Sequence, residues 1–231
     1  MRNLFLMLFI VLISLKNVLL ADTNQQSDQI NIHEYIGDPL FISLGSWCNV
    51  AINLKRNGMR KAAFPFDWIA SVDCEKFLEI FTSDFKYFLD DNYLFIKDSH
   101  IFNNYYNLEF PHDQCLPQEM AELWATFKDK YMRRIDRFRE LEHYKGKVYF
   151  IRSSFGYSND PERHFKCAEN ISISDVYAWR LFHTLLDRFP QLDFTLIICD
   201  LVKEAKILSK NLIRLQDIPD LKAINDLFPD N

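Results

Sequence analysis

Cys48 is the residue with the clearest chemical potential in this chain. It closes the run Phe41-Ile-Ser-Leu-Gly45-Ser-Trp-Cys48, an apolar strand that breaks at a glycine and delivers a thiol to the start of a helix. A thiol placed there meets the positive end of the helix dipole and unpaired backbone N–H groups, which favour thiolate and can hold an oxyanion. The chemistry this suggests is nucleophilic acyl transfer, which also needs a base beside the sulfur and an acceptor to orient the base. His112, in Pro111-His-Asp113, is the best base on offer. Asp113 follows it directly, but neighbours in an extended segment point to opposite faces, so Asp200 and Asp67 compete for the orienting role. Ser46 is a second candidate nucleophile. It ranks lower because a strand-Gly-Ser esterase also needs a late Asp-x-x-His, and no histidine follows His183.

Each of these residues also has a plainer reading. Cys48 can be a small packed apolar residue, and His112 can be a turn histidine. Asp67 can cap the turn Phe64-Pro-Phe-Asp-Trp68, while Arg152 can make an ordinary surface ion pair. The functional reading gains from topology, because ligands of open α/β sheets gather beyond the carboxyl ends of the strands. Those ends deliver Ser46 and Cys48, then His112 and Asp113, then Arg152, Ser153 and Ser154, then Asp200. Ser46, Trp47, Asp67, Arg152 and Ser153 form the expected substrate-binding set, with Arg152 assisting the backbone at the oxyanion.

The elements that must position these groups follow from periodicity. An apolar run from Pro39 to Leu44 suits a buried strand, and Val50, Ala51 and Leu54 mark a helix from Cys48 to Asn57 that stops at Gly58. A helix is expected near Asp73 to Leu89, and extended segments at Tyr93 to Ile96 and Tyr105 to Phe110. From Pro117 to Tyr144 apolar residues recur every three or four positions, giving a long amphipathic helix. Lys147 to Ile151 is a strand, Ser174 to Phe189 a helix and Phe194 to Cys199 a strand, which together make a parallel crossover unit. The tail reads as one helix from about Lys203 to Leu215. The expected fold is α/β, a single domain over residues 39–231 with a mostly parallel central sheet flanked by helices.

Composition narrows the function classes. The 231 residues carry a net charge of −5, which leaves no electrostatic footprint for nucleic acid. The basic stretch Lys128 to Arg139 is interleaved with Asp129 and Asp136 and reads as a solvated helix face. The five glycines form neither a dinucleotide fingerprint nor a P-loop. The six histidines include no zinc spacing, so neither cofactor nor metal is expected. Residues 1–21, with Arg2 before the apolar run Leu4 to Leu15, read as a secretory signal peptide, followed by a polar linker over 22–38. The mature chain is then exported, with no stable membrane association after cleavage; an uncleaved N-terminal anchor is the alternative. Of the cysteines Cys48, Cys74, Cys115, Cys167 and Cys199, an odd number, at least one remains a thiol.

Several of these segments occur in an order that matches a known family. Ile42-Ser-Leu-Gly-Ser-Trp-Cys-Asn-Val-Ala51, Leu54-Lys-Arg-Asn-Gly-Met-Arg60, Pro65-Phe-Asp-Trp-Ile69, Phe110-Pro-His-Asp113, Arg133-Arg-Ile-Asp-Arg-Phe138 and Val148-Tyr-Phe-Ile-Arg152 follow one another here. The combination resembles a bacterial domain family of unknown function labelled "putative papain-like cysteine peptidase", over about Leu40 to Asp200. The resemblance implies a hydrolase acting on a peptide or other acyl substrate, with Cys48 as nucleophile and His112 as base. It also implies a papain-like fold with an antiparallel half, whereas the crossover unit predicts a parallel sheet. Trp47 stands where a smaller or polar residue would be expected before the cysteine. The competing class is a non-catalytic or glycan-related α/β binding protein in which Cys48 is only packed.

Overall fold

Two β-sheets divide the work of positioning the candidate residues. The computed structural model describes residues 31–35, 37–114, 120–154, 173–200 and 204–216. The expected signal peptide and most of the linker, Cys115, Cys167 and the last residues of the tail lie outside these. The main sheet contains β1 (Leu40–Ser43), β6 (Val148–Ser153), β7 (Phe194–Cys199), β8 (Lys206–Ser209) and β9 (Leu212–Leu215), in the order β1-β6-β7-β9-β8. All its pairings are parallel except β8 with β9. The crossover reading of Lys147 to Cys199 therefore holds: β6 and β7 pair in parallel, with α4 (Asp175–Arg188) between them in the chain.

Alternation along these strands sorts the core into two layers. Phe41, Tyr149, Ile151, Ile197 and Cys199 pack against Val50 and Leu54 of α1 (Asn49–Arg56). Leu40, Ile42, Phe150, Leu196 and Ile198 belong to the larger cluster shared with α2 (Cys74–Thr82), α3 (Met120–Arg139) and α4. Both faces of the sheet are thus covered, as all-parallel strands require.

A second sheet of four antiparallel strands, in the order β2-β5-β4-β3, is formed by β2 (Ala70–Ser71), β3 (Leu94–Lys97), β4 (His100–Asn103) and β5 (Leu108–Gln114). His112 lies within β5, so it reaches the site from this sheet and not from a strand end of the main one. The extended reading of Tyr105 to Phe110 missed this because Tyr105 and Tyr106 lie in the β4–β5 turn, where Asn107 has φ +54.

Two helix expectations are also corrected. The helix expected to run to Leu89 ends at Thr82, because Asp84 and Phe85 have consecutive positive φ values of 49 and 60. Phe85 and Phe88 nevertheless reach the core, which is why the periodicity continued beyond the helix. The helix expected over Lys203 to Leu215 is the β8–β9 hairpin instead. Leu208, Leu212 and Leu215 have a spacing that suits a helix. Pairing of β9 with β7 buries Leu212 and Ile213 more completely than a surface helix would, and tertiary pairing overrides local propensity.

Candidate functional site

Because β1, β6, β7 and β9 run the same way, their carboxyl ends share one edge, and a band of buried polar residues collects there: Ser46, Arg152, Ser153, Ser154, Asp200 and Arg214. Much of the band holds the Gly45–Cys48 loop in place. The N–H of Ser153 donates to Gly45 O at 2.8 Å, Ser46 Oγ donates to Ser153 O at 2.9 Å, and the N–H of Ser71 donates to Ser46 O at 2.9 Å. Asn49, the first residue of α1, sends Nδ2 to Ser153 Oγ at 3.5 Å. The expected substrate residues Ser46 and Ser153 are therefore buried and occupied as braces of the loop.

Arg152 is a brace as well. Its Nη1 donates to Leu44 O at 2.6 Å and to Ser71 Oγ at 2.7 Å, its Nη2 donates to Ser71 O, and its guanidinium carbon lies 3.9 Å from the Phe77 ring centroid. A buried guanidinium here fastens the end of β1 to β2, so the surface ion-pair reading of Arg152 fails. Gly45 makes room for it. A Cβ at that position would lie 2.9 Å from Ser71 Oγ and 3.1 Å from Arg152 Nη1, and the backbone φ is +77. Gly45→Ala is expected to cost about 1–3 kcal/mol in denaturant unfolding, since both the dihedral and the contact oppose a side chain.

Cys48 is the N-cap residue of α1, in helical conformation (φ −70, ψ −11), and accepts the N–H of Ile52 at 2.9 Å through its carbonyl. The residue is 8 % exposed and shares a small apolar cluster with Trp47 and Ala70, against which Ile52, Trp68 and Val72 pack. Trp68 then meets His112, the two rings lying 5.2 Å apart between centroids at 69° in an edge-to-face contact. His112 is exposed. The Trp68 indole is thus the common neighbour of the Cys48 cluster and of the candidate base.

The three candidate acids have separate partners. Asp113 turns to the α3 side, as strand alternation requires, where it is ion-paired to Lys130 and receives Tyr131 Oη at 2.9 Å. Asp200 is fully buried and accepts Arg214 Nη1 and the N–H of Ile173, each at 3.2 Å. Asp67 caps its own turn by accepting the N–H of Phe64 at 3.0 Å, and Arg60 grips the same oxygen through Nε at 2.9 Å and Nη2 at 2.8 Å. The capping reading of Asp67 is what the geometry supports, and Arg60 also lies 5.6 Å from the Trp68 ring centroid. Trp68 and Arg60 were absent from the sequence-derived site set. The available signal was their place in the ordered motifs, Trp68 next to Asp67 and Arg60 at the end of the preceding segment.

Among the described residues Cys48, Cys74 and Cys199 form no disulfide. Burial pushes the Cys74 thiol up, against the opposing pull of the Arg152 guanidinium and the Tyr177 hydroxyl. A raised thiol stays protonated at neutral pH, so Cys74 is expected to alkylate more slowly at pH 7 than free cysteine, as peptide mapping after a timed iodoacetamide pulse would show. Among the described residues no group of three His, Cys, Asp or Glu could hold a metal, and no helix is long and apolar enough to cross a membrane. An open groove of about 850 Å³ lies elsewhere, between α2 and α4, with Glu79, Val176, Trp179 and His183 in its walls.

Comparison with known proteins adds two findings. The model of a domain family described as "putative papain-like cysteine peptidase (DUF1796)" matches residues 39–200. An uncharacterised protein of Acanthamoeba polyphaga mimivirus is 31% identical over 140 residues, which cover 51% of this chain and 63% of the viral protein. This relative is viral, so it lends no support to the bacterial attribution of the family. No solved structure matches.

Proposed function

Because the chain belongs to the family described as "putative papain-like cysteine peptidase", we propose that it is a cysteine-dependent acyl hydrolase or transferase, a peptidase in its family's sense. Cys48 is the nucleophile and His112 the base. The observation that carries this reading is the placement of Cys48 at the N-terminus of α1 with Trp68 in contact with both its cluster and the His112 ring.

In the reaction, a ring nitrogen of His112 takes the Cys48 proton and the sulfur attacks the substrate carbonyl carbon. The helix dipole favours the negative sulfur, and N–H groups of the first turn of α1 receive the developing oxyanion. The His112 proton then passes to the departing amine or alcohol, and water or another acceptor releases the acyl group by the reverse path. Arg152 contributes at one remove, holding the loop that carries Cys48. In the same reading residues 1–21 direct export as a signal peptide, or remain as an anchor.

The test is the pH dependence of Cys48 acylation by an activated ester, in the native chain and in His112→Ala. Rapid reaction of Cys48 at neutral pH that depends on His112 supports the enzyme. A thiol no faster than free cysteine overturns it and favours a binding protein in which Cys48 is only packed.

A further inference from the structure

We propose that Trp68 is a positioning residue for the Cys48–His112 pair, a role that rests on the reading of that pair as nucleophile and base. His112 is exposed on a strand of the smaller sheet, whereas Cys48 hangs from the main sheet at the cap of α1. A base must stand within hydrogen-bond reach of the sulfur in a defined orientation. The described ring neighbour of His112 is Trp68, in an edge-to-face contact that fixes the plane of the imidazole against a rigid wall. The same wall packs on the Trp47, Cys48 and Ala70 cluster, so one side chain references both reacting groups.

Trp68 is itself held. Its neighbour Asp67 is gripped by Arg60 and accepts the N–H of Phe64, and the Arg60 guanidinium lies over the indole. On the other side, β2 begins two residues later at Ala70 and pairs with β5, the strand that carries His112: Ala70 stands opposite Glu109 and Ser71 opposite Leu108. The wall and the base therefore belong to one hydrogen-bonded unit. The indole N–H is buried and has no acceptor among the described residues. The contacts described for Trp68, with His112, with the Cys48 cluster and with Arg60, are made by the ring.

That distinction sets the experiment. Trp68→Leu removes the wall, and Trp68→Phe keeps an aromatic face while deleting the N–H. Acylation of Cys48 is followed against pH in the native chain, in both variants and in His112→Ala, with thermal melting to confirm that each is folded. Trp68→Leu is expected to lower the rate at pH 7 by ~10–100-fold, the size of effect that misplacement of a reacting group produces. Its rate–pH curve should shift from the native one toward that of His112→Ala, and Trp68→Phe should restore most of the loss. If a folded Trp68→Leu keeps the native curve, or if the Phe variant is as slow as the Leu variant, the positioning role is overturned while the Cys48–His112 reading stands. If the native chain shows no dependence on His112 at all, the reading and the inference fall together. Should Trp68→Leu not fold, the Phe variant alone decides, because a native curve is required of it.

Discussion

His112→Ala is expected to slow acylation of Cys48 at pH 7 by ~10²–10⁴-fold, the usual contribution of a positioned base. The fold should barely register the change. His112 is exposed, and its ring contact with Trp68 is worth about 0.5–1.5 kcal/mol. The size of the kinetic effect against the size of the structural one makes the result interpretable. The pH dependence adds a second criterion. Without the imidazole, the reaction should depend on spontaneous ionisation and climb with pH through the range of an ordinary thiol, near about 8.5. With it, the rise should come earlier. Stopped-flow acylation with Cys48→Ala as the blank measures both. Equal curves for the native chain and His112→Ala would remove His112 from the mechanism.

Arg152→Ala should produce the largest loss of stability, about 3–5 kcal/mol, read as a fall in the urea midpoint. Truncation leaves Leu44 O and Ser71 O without their donor, and a buried acceptor so abandoned costs more than the bond was worth. It also opens a cavity beside Phe77, Cys74 and Tyr177. Arg152→Lys should recover little, because a lone ammonium cannot reproduce the planar fork that serves Leu44 and Ser71 together. The comparison separates a brace from a substrate-binding arginine. A substrate role would leave the midpoint in place and alter only the reaction. Stability of Arg152→Ala within about 0.5 kcal/mol of native, the range of an ordinary surface change, would reject the brace.

Much of the main sheet was legible because its strands are almost wholly apolar and its helices keep a regular stripe. Phe194–Cys199 was placed to the residue, and Ser174 caps α4 with its hydroxyl accepting the N–H of Tyr177. What was not legible depended on partners far along the chain. The spacing of Leu208, Leu212 and Leu215 suits a helix, and only the open edge of β7 makes a strand of Leu212–Leu215. His112 could be named as a base from its type, yet its sheet could not, since β5 is defined by pairing with β2 and β4. The alternation that turned Asp113 away from His112 was visible in advance, whereas its tie to Lys130 and Tyr131 needed α3 in place. Trp68 had an aromatic's ordinary explanation, as core filler, until the two neighbours on either side of it were known.

The hydrogen bond from Ser46 to Ser153 joins residues 107 positions apart in the chain, and that span has a consequence for biosynthesis. While the protein is being made, the loop bearing Cys48 emerges early and has nothing to shape it. β6, which supplies Ser153 and Arg152, follows only after three α-helices and the whole of the second sheet. Contacts of such long range form slowly and late. The nascent chain therefore carries Cys48 on an unbraced loop until β6 has emerged and paired, so that the shape of this loop is set later than the sequence around it is made.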